Sequence, residues 1–185
     1  MPAVRISIRG TSGSGKSTVG RAAAERLGIP FVELDAIRHQ ADWVELPDEE
    51  FVNRVRQVVA GNAWVVDGNY GAVRQVTGER ATCIVWLDLP RWLVMAQVVR
   101  RSFARAAFRQ ELWNGNRETF RNWLEPEHPI RWAWTTHARR QRDYATESAG
   151  DDRWVRLTSR RAVRAWLERL VPPDVHPGRM ASPDE

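Results

Sequence analysis

One eight-residue segment near the start of the chain constrains its fold more than any other feature. Residues 10–17 read GTSGSGKS and fit the pattern G-x-x-x-x-G-K-[ST] in full. The apolar run at 4–8 is typical of a strand, and residues 17–27 have the pattern of a helix that ends at Gly28. This order of strand, loop and helix predicts a loop that binds phosphate at a helix N-terminus.

The chemistry of this loop follows from its residue types. Glycines let successive backbone N–H groups surround a phosphate, toward which the helix also points the positive end of its dipole. Lys16 can reach between the β- and γ-phosphates of a nucleoside triphosphate, and the Ser17 hydroxyl can bind Mg²⁺. The residues predicted to bind the nucleotide here are Gly10, Thr11, Ser12, Gly13, Ser14, Gly15, Lys16, Ser17 and Thr18.

The use of basic residues also singles out Lys16. The chain has 28 lysines and arginines, and this is the single lysine among them. An ammonium group is a compact point charge, whereas the broader guanidinium fork of arginine fits poorly between two phosphates. Lysine is therefore retained at the one position where the phosphate-binding motif requires it.

The rest of the chain alternates between strand-like and helix-like segments. Short apolar runs at 31–34, 63–66, 83–87 and 154–157 predict four further strands, separated by helical patterns. This alternation favours an α/β fold in which ligands bind at the carboxyl ends of parallel strands. Aspartates follow three of these strands and are candidates for the site: Asp35, Asp67 and Asp88.

Length and composition limit the kind of protein. The chain has 185 residues, of which 43% are hydrophobic, which predicts one domain over residues 1–170 and a disordered tail at 171–185. It lacks both a run of about 18 apolar residues and the apolar segment of a secretory signal, so we expect neither a membrane nor a secreted protein. Cys83, the only cysteine, is predicted to be a core residue. We expect a cytoplasmic monomer or weak dimer.

Four segments together resemble the adenylate-kinase-like P-loop proteins. They read GTSGSGKS at 10–17, LDAIR at 34–38, WVVDGNY at 64–70 and VWLDLPR at 85–91. Within that family, the resemblance is to the small topology-modulation proteins. It implies a three-layer P-loop NTPase fold with a five-stranded parallel sheet and a mobile, arginine-rich helical lid. It also implies phosphoryl transfer from ATP with Mg²⁺.

The same resemblance implies roles for residues beyond the loop. Asp35 and Arg38 match the family's Asp-x-x-Arg, whose arginine holds the phosphate of the acceptor, and Asp67 matches an Asp-Gly that orders water around Mg²⁺. Asp35 would act as a base toward an acceptor hydroxyl, or support Mg²⁺ if the acceptor is a phosphate. The family's aromatic-Pro-Arg is replaced by Asn69-Tyr70, and the next arginine, Arg74, could bind phosphate or be an ordinary surface residue.

Positive charge is concentrated between residues 100 and 142, which contain ten arginines and four glutamates. The resemblance places a lid at about these residues, with an arginine cluster on each side that closes over the triphosphate. Arg100 and Arg101 are accordingly predicted to bind the nucleotide. Arg139 and Arg142 are predicted to stabilise the charge that develops on the transferred phosphoryl group.

Aromatic residues interrupt this basic stretch. They could form a small core that holds the lid, or their rings could stack on a base, a sugar or single-stranded nucleic acid. The residues Asn116, Arg117 and Glu118 also resemble a segment of the topology-modulation proteins, for which the sequence predicts no role. The four tryptophans of the stretch are Trp113, Trp123, Trp132 and Trp134.

Three functions remain open from the sequence. The first is an ATP- and Mg²⁺-dependent kinase that acts on a nucleotide or another small acceptor, which His39 could contact. The second is an ATPase or nucleotide-dependent regulator without such an acceptor. The third, a nucleic-acid-binding protein, is less favoured because the net charge of the whole chain is only +5. The four histidines show no metal-ligand spacing, so Mg²⁺ is the only metal predicted.

Overall fold

A five-stranded parallel sheet forms the centre of the computed structural model, which describes residues 3–108, 111–116 and 128–172. The strands lie in the order β2-β3-β1-β4-β5, as expected for an α/β fold whose chain crosses from one side of the sheet to the other. This confirms the fold class predicted from the sequence. The strands are β1 Val4–Gly10, β2 Phe31–Glu33, β3 Ala63–Asp67, β4 Cys83–Leu87 and β5 Trp154–Leu157.

Helices cover both faces of the sheet, and short 3₁₀ turns occur at Ala41–Trp43 and Trp113–Gly115. Among the described residues, no helix combines the length and apolar character needed to cross a membrane. The helices are α1 Lys16–Leu27, α2 Leu34–Arg38, α3 Asp48–Val58, α4 Gly71–Arg80, α5 Arg91–Ala107, α6 Pro129–Glu147 and α7 Arg160–Glu168.

Alternation along the strands divides the apolar residues between two cores. Ile6 and Ile8 of β1 pack with α1, α7 and the partly buried Cys83. On the other face, Trp64 and Val66 of β3 pack with α3 and α4. The apolar strands are thus buried on both sides, which explains why they appear in the sequence as nearly continuous hydrophobic runs.

Caps mark the ends of two helices, and the first of them, at Gly28, confirms the end that the sequence predicts. Gly28 ends α1 in the left-handed conformation, with φ 64°, which glycine adopts without steric cost. Ser159 precedes α7 and its hydroxyl accepts a hydrogen bond from the Ala162 backbone N–H at 3.1 Å. At β2 the prediction is one residue too long, because Leu34 already belongs to α2, so Asp35 lies in a short helix and not in a loop.

The register of the strands brings their carboxyl ends to one edge. Ile8 of β1 pairs with Asp67 of β3, and Gly10 pairs with Leu87 of β4. The loop after β1 therefore lies beside the residues that follow β3 and β4. This edge is where the candidate site forms.

The predicted lid corresponds to parts of two long helices in the described residues. Arg100 and Arg101 belong to the last turns of α5, and residues 139–142 lie within α6, which packs against α5. Trp132 and Trp134 are 41% and 55% exposed, so these two do not form the small buried core considered above. Trp123, Arg117 and Glu118 lie outside the described residues, as does the predicted tail beyond residue 172.

Candidate active site

The loop between β1 and α1 has a backbone that only glycine adopts easily. Gly13 and Gly15 have φ of 82° and 92°, in the left-handed region. A Cβ on Gly13 would lie 2.7 Å from Cβ of Val98 on α5. The loop therefore packs tightly against the helix that carries one of the predicted arginine clusters.

Lys16 stands at the first turn of α1, where its ammonium group donates a hydrogen bond to the Thr11 carbonyl at 3.3 Å. Desolvation lowers the pKa of Lys16, while the carboxylates of Asp67 and Asp35 act to raise it. The positive charges of Arg140 and Arg101 lower it further. These four groups, which come from β3, α2, α6 and α5, all lie close enough to influence the lysine.

Asp67 and Ser17 provide a site that suits Mg²⁺. Asp67 is 3% exposed, and its Oδ2 has no hydrogen-bond partner in the described part of the chain. Burial raises the pKa of Asp67 to about 6, against the opposing effects of Lys16 and of a hydrogen bond from Ser17. A hard cation bound between this carboxylate and the serine hydroxyl would satisfy the unpaired oxygen, since oxygen ligands are the ones that Mg²⁺ prefers.

Helix phase decides which arginine of α6 faces Lys16. Arg140 is 9% exposed, and its Nε and Nη1 are buried without a hydrogen-bond partner among the described residues. Arg139 and Arg142, which the sequence analysis singles out, are both exposed. Of these three arginines, Arg140 is the one whose charge acts on Lys16, because buried positions of α6 recur every three or four residues through Ala133, His137 and Arg140. The roles predicted for Arg139 and Arg142 stay predictions.

The arginines of α5 differ in the same way. Arg100 is exposed, whereas Arg101 is half-buried and its charge acts on Lys16. Of the pair predicted to bind the nucleotide, only Arg101 therefore faces the lysine. The remaining loop residue of the prediction, Thr18, is exposed on the first turn of α1.

Asn69 fixes the loop at its start and was not singled out by the sequence. Its side chain exchanges hydrogen bonds with the backbone N–H and carbonyl of Gly10. The hydroxyl of Tyr144 on α6 donates to the same Asn69 Oδ1 at 2.9 Å. The Asn69-Tyr70 pair that departs from the family pattern thus connects the phosphate-binding loop with α6.

Asp35 belongs to a short chain of polar groups. The Tyr70 hydroxyl donates to Asp35 Oδ1 at 2.7 Å and lies 3.2 Å from Nε2 of His39. Burial, followed by the negative charge of Asp35, raises the pKa of Tyr70, so this hydroxyl stays protonated. Tyr70 therefore holds one carboxylate oxygen of Asp35 and leaves the other for a further partner.

The two arginines predicted to hold the acceptor are paired with carboxylates. Arg38 donates to Glu45 through Nε and Nη2, at 2.9 and 2.7 Å, and to Asp48 through Nη1 at 2.6 Å. Arg74 donates to Glu147 at 2.6 Å. The sequence gives no sign of these pairs, because charge partners this far apart depend on the fold.

The segment 111–116 docks beside Asp35 and gives Asn116 a structural explanation. Asn116 is 4% exposed, donates to the Gln40 carbonyl at 2.7 Å and accepts from the Trp43 backbone N–H at 2.8 Å. Trp113 donates through Nε1 to Glu33 at 2.5 Å. This stretch therefore closes one side of the space around Asp35.

Asp88, the third aspartate at this edge, has a different role. Arg156 donates to its Oδ2 through Nε and Nη2 at 2.8 and 2.6 Å, and Gln141 donates to Oδ1 at 3.0 Å. Both carboxylate oxygens are thereby used within the chain. Asp88 therefore connects α6 with β5.

Two solved structures share this architecture. A gluconokinase from Sinorhizobium meliloti aligns with a TM-score of 0.54 at 21% identity, covering 92% of this chain and 94% of the other. A shikimate kinase from Bacteroides thetaiotaomicron aligns with a TM-score of 0.52 at 18% identity, covering 90% and 95%. The chain has the P-loop kinase fold. At these identities the likeness concerns the fold and not the substrate.

Sequence comparisons find partial similarity to P-loop kinases. The family model of shikimate kinase matches residues 12–47. A shikimate kinase from Symbiobacterium thermophilum is 37% identical over 100 residues, which cover 46% of this chain and 58% of that protein. A putative adenylate kinase from Thermococcus onnurineus is 32% identical over 71 residues, covering 35% and 39%.

The matched segments thus span little more than half of the first curated relative and less of the second. The family model covers most of the phosphate-binding loop and the residues after it, up to residue 47. These comparisons do not support the narrower resemblance to topology-modulation proteins, which stays a prediction.

Proposed function

We propose that the protein is a kinase that transfers the γ-phosphoryl group of ATP, in the presence of Mg²⁺, to a small-molecule acceptor. The observation that carries this proposal is the convergence on Lys16 of two carboxylates and two guanidinium groups, at the end of a glycine-rich loop. The partial similarity to shikimate kinases and to a putative adenylate kinase supports the same reaction class.

Each group has a role that its position suggests. The backbone of residues 10–15 and Lys16 bind the phosphates, and Arg140 and Arg101 stabilise the charge that develops on the transferred group. Ser17 and Asp67 would hold Mg²⁺, which neutralises phosphate charge when bound. Asp35 lies close enough for its charge to act on Lys16, and the carboxylate oxygen that Tyr70 does not hold can accept the proton of an attacking hydroxyl.

The predicted roles of the other arginines remain predictions. Arg100, Arg139 and Arg142 are exposed, so contact with the triphosphate would require movement of α5 or α6. Arg38 and Arg74 would have to leave their carboxylate partners to hold an acceptor.

The proposal is tested by measuring ADP release from ATP and Mg²⁺, first with the protein alone and then with a panel of candidate acceptors. Lys16→Ala is the blank, because it removes the group that contacts the phosphates. We expect at least one acceptor to increase ADP release in the wild-type protein only. ADP release that Lys16→Ala leaves unchanged would contradict the assigned site. Hydrolysis that depends on Lys16 but on no acceptor would favour an ATPase or a nucleotide-dependent regulator.

A further inference from the structure

The space next to Asp35 has a distinctive chemical character in the described residues. Its boundary, which we call the acceptor wall, combines carboxylates with aromatic and amide groups. Trp43 is 40% exposed and its ring meets the edge of His39 at a centroid distance of 5.6 Å. The acceptor wall consists of Glu33, Asp35, His39, Trp43, Glu45, Tyr70 and the segment 112–116.

Arg38, which donates to Glu45 of this wall, is already paired with carboxylates. Its guanidinium makes three hydrogen bonds to Glu45 and Asp48 and lies over the ring of Phe51 at 5.3 Å. Its side chain is 15% exposed, whereas those of Glu45 and Asp48 are 49% and 73% exposed. An anionic acceptor would have to displace both carboxylates, and a carboxylate or phosphate gains little by replacing equivalent charge-assisted bonds.

Arg74 is engaged in the same way on the other side of Tyr70. Its partner Glu147 also accepts a hydrogen bond at 2.9 Å from Arg9, whose side chain is 6% exposed. The guanidinium of Arg74 lies over the ring of Tyr144 at 5.5 Å. If Glu147 moved away from these two arginines, the buried Arg9 would lose its counter-charge, which would destabilise the fold.

The charged side chains of the acceptor wall itself are carboxylates, while Arg105 lies over the ring of Trp113 at 5.9 Å. Glu33 accepts from Arg21 at 2.7 Å and from Trp113, so its position is fixed at the edge of the wall. Asp35 keeps one oxygen that Tyr70 does not hold. Carboxylates repel an anionic ligand, but they accept hydrogen bonds from hydroxyl groups. Exposed aromatic rings such as Trp43 offer apolar faces to the C–H groups of a polyhydroxylated molecule.

We infer that the acceptor is a hydroxyl compound without an anionic group, such as a neutral sugar, a polyol or a nucleoside. This inference rests on the proposed kinase function and narrows its acceptor. In the reaction, the acceptor oxygen forms a bond to the γ-phosphorus while the bond from that phosphorus to the bridging oxygen breaks. ADP leaves with the electron pair, and the hydroxyl proton passes to Asp35.

The first test compares acceptors in pairs that differ only by an anionic group. Suitable pairs are a neutral hexose and its sugar acid, a cyclic polyol and its carboxylate, and a nucleoside and its 5′-monophosphate. We expect the neutral member of at least one pair to be phosphorylated with a kcat/KM about tenfold or more above its anionic partner. A preference for the anionic member in the productive pairs would overturn the inference while leaving the kinase function intact.

If no acceptor of these pairs is phosphorylated, a binding measurement tests the inference instead. The wild-type protein is saturated with Mg²⁺ and a non-hydrolysable ATP analogue, and inorganic phosphate is titrated in by calorimetry. We expect no phosphate binding tighter than about 1 mM. Sub-millimolar binding would overturn the inference, whether or not the kinase assay has succeeded.

A double variant provides the matched control for this titration. Glu45→Gln with Asp48→Asn removes the negative charges that neutralise Arg38, and both side chains are exposed enough for the fold to tolerate the change. We expect phosphate affinity to increase by about tenfold in this variant, because Arg38 is then free to pair with the anion. An unchanged phosphate affinity in the double variant would also count against the inference, because it would show that Glu45 and Asp48 do not prevent Arg38 from binding an anion.

Discussion

Arg140 lies close enough to Lys16 for its positive charge to lower the pKa of the lysine, although the two residues belong to the last and first thirds of the described chain. Two of the guanidinium nitrogens of Arg140 are buried without a partner among the described residues. Like charges held together in this way favour the binding of an anion between them. The pair therefore marks the place where a phosphate group fits best.

Arg140→Ala should lower kcat by about a hundredfold or more, because the charge on the transferred phosphoryl group loses its stabilisation. The measurement is the steady-state rate of ADP release with an acceptor that the panel of candidate acceptors identifies. Arg139→Ala is the matched control, since its neighbouring side chain is exposed and should change kcat by less than about threefold. Equal losses in the two variants would show that the orientation of α6 does not determine the role of its arginines.

Asp67→Asn should stabilise the nucleotide-free protein at pH 7. The pKa of Asp67 is raised from 3.8 to about 6, so the folded state favours the protonated carboxyl. The stability that this provides is fully present below about pH 4 and is lost as the pH rises through about 6. The variant should avoid that loss, which amounts to up to about 3 kcal/mol at pH 7.

Urea unfolding of the wild-type protein and of this variant at several pH values checks the prediction. The wild-type protein should lose stability relative to Asp67→Asn between about pH 4 and pH 6. Activity with Mg²⁺ should fall in the variant, because an amide is a weaker ligand for a hard cation. If the free energies of unfolding of the two proteins changed in parallel across this pH range, the pKa of Asp67 would not be raised in the folded state.

Tyr70→Phe should reduce kcat by about tenfold while leaving the KM for ATP nearly unchanged. The variant keeps the ring that packs at 5.1 Å from Phe51 but removes the hydrogen bond to Asp35. Asp35 would then be less well oriented toward the acceptor, whereas the residues proposed to bind the nucleotide would not change. A rise in the KM for ATP with kcat preserved would place Tyr70 in nucleotide binding instead.

Asn116→Ala should destabilise the protein by about 1–2 kcal/mol, because it leaves two partly buried backbone groups without their side-chain partner. These groups are the carbonyl of Gln40 and the N–H of Trp43. The loss should appear in urea unfolding and as faster amide exchange of residues 40–43. Asn53→Ala is a suitable control, since Asn53 lies on the exposed face of α3 and should have little effect.

The sequence by itself determined the phosphate-binding loop, the five strands and the α/β class. These features depend on local pattern: glycines where the backbone must turn sharply, apolar runs where strands are buried on both faces, and Gly28 at the end of a helix. The strand predictions are therefore accurate to within one or two residues. Lys16 could also be identified, because the motif surrounds it directly.

Only the tertiary structure decided which polar side chains outside the phosphate-binding loop contact one another. The cluster at 139–142 is evident in the sequence, but only the packing of α6 turns Arg140 inward and leaves Arg139 and Arg142 exposed. The partners of Arg38 and Arg74, and the docking of Asn116, likewise involve residues from separate elements. Side-chain contacts of this kind depend on how helices are rotated and placed over the sheet, and a linear pattern of residue types does not record that rotation.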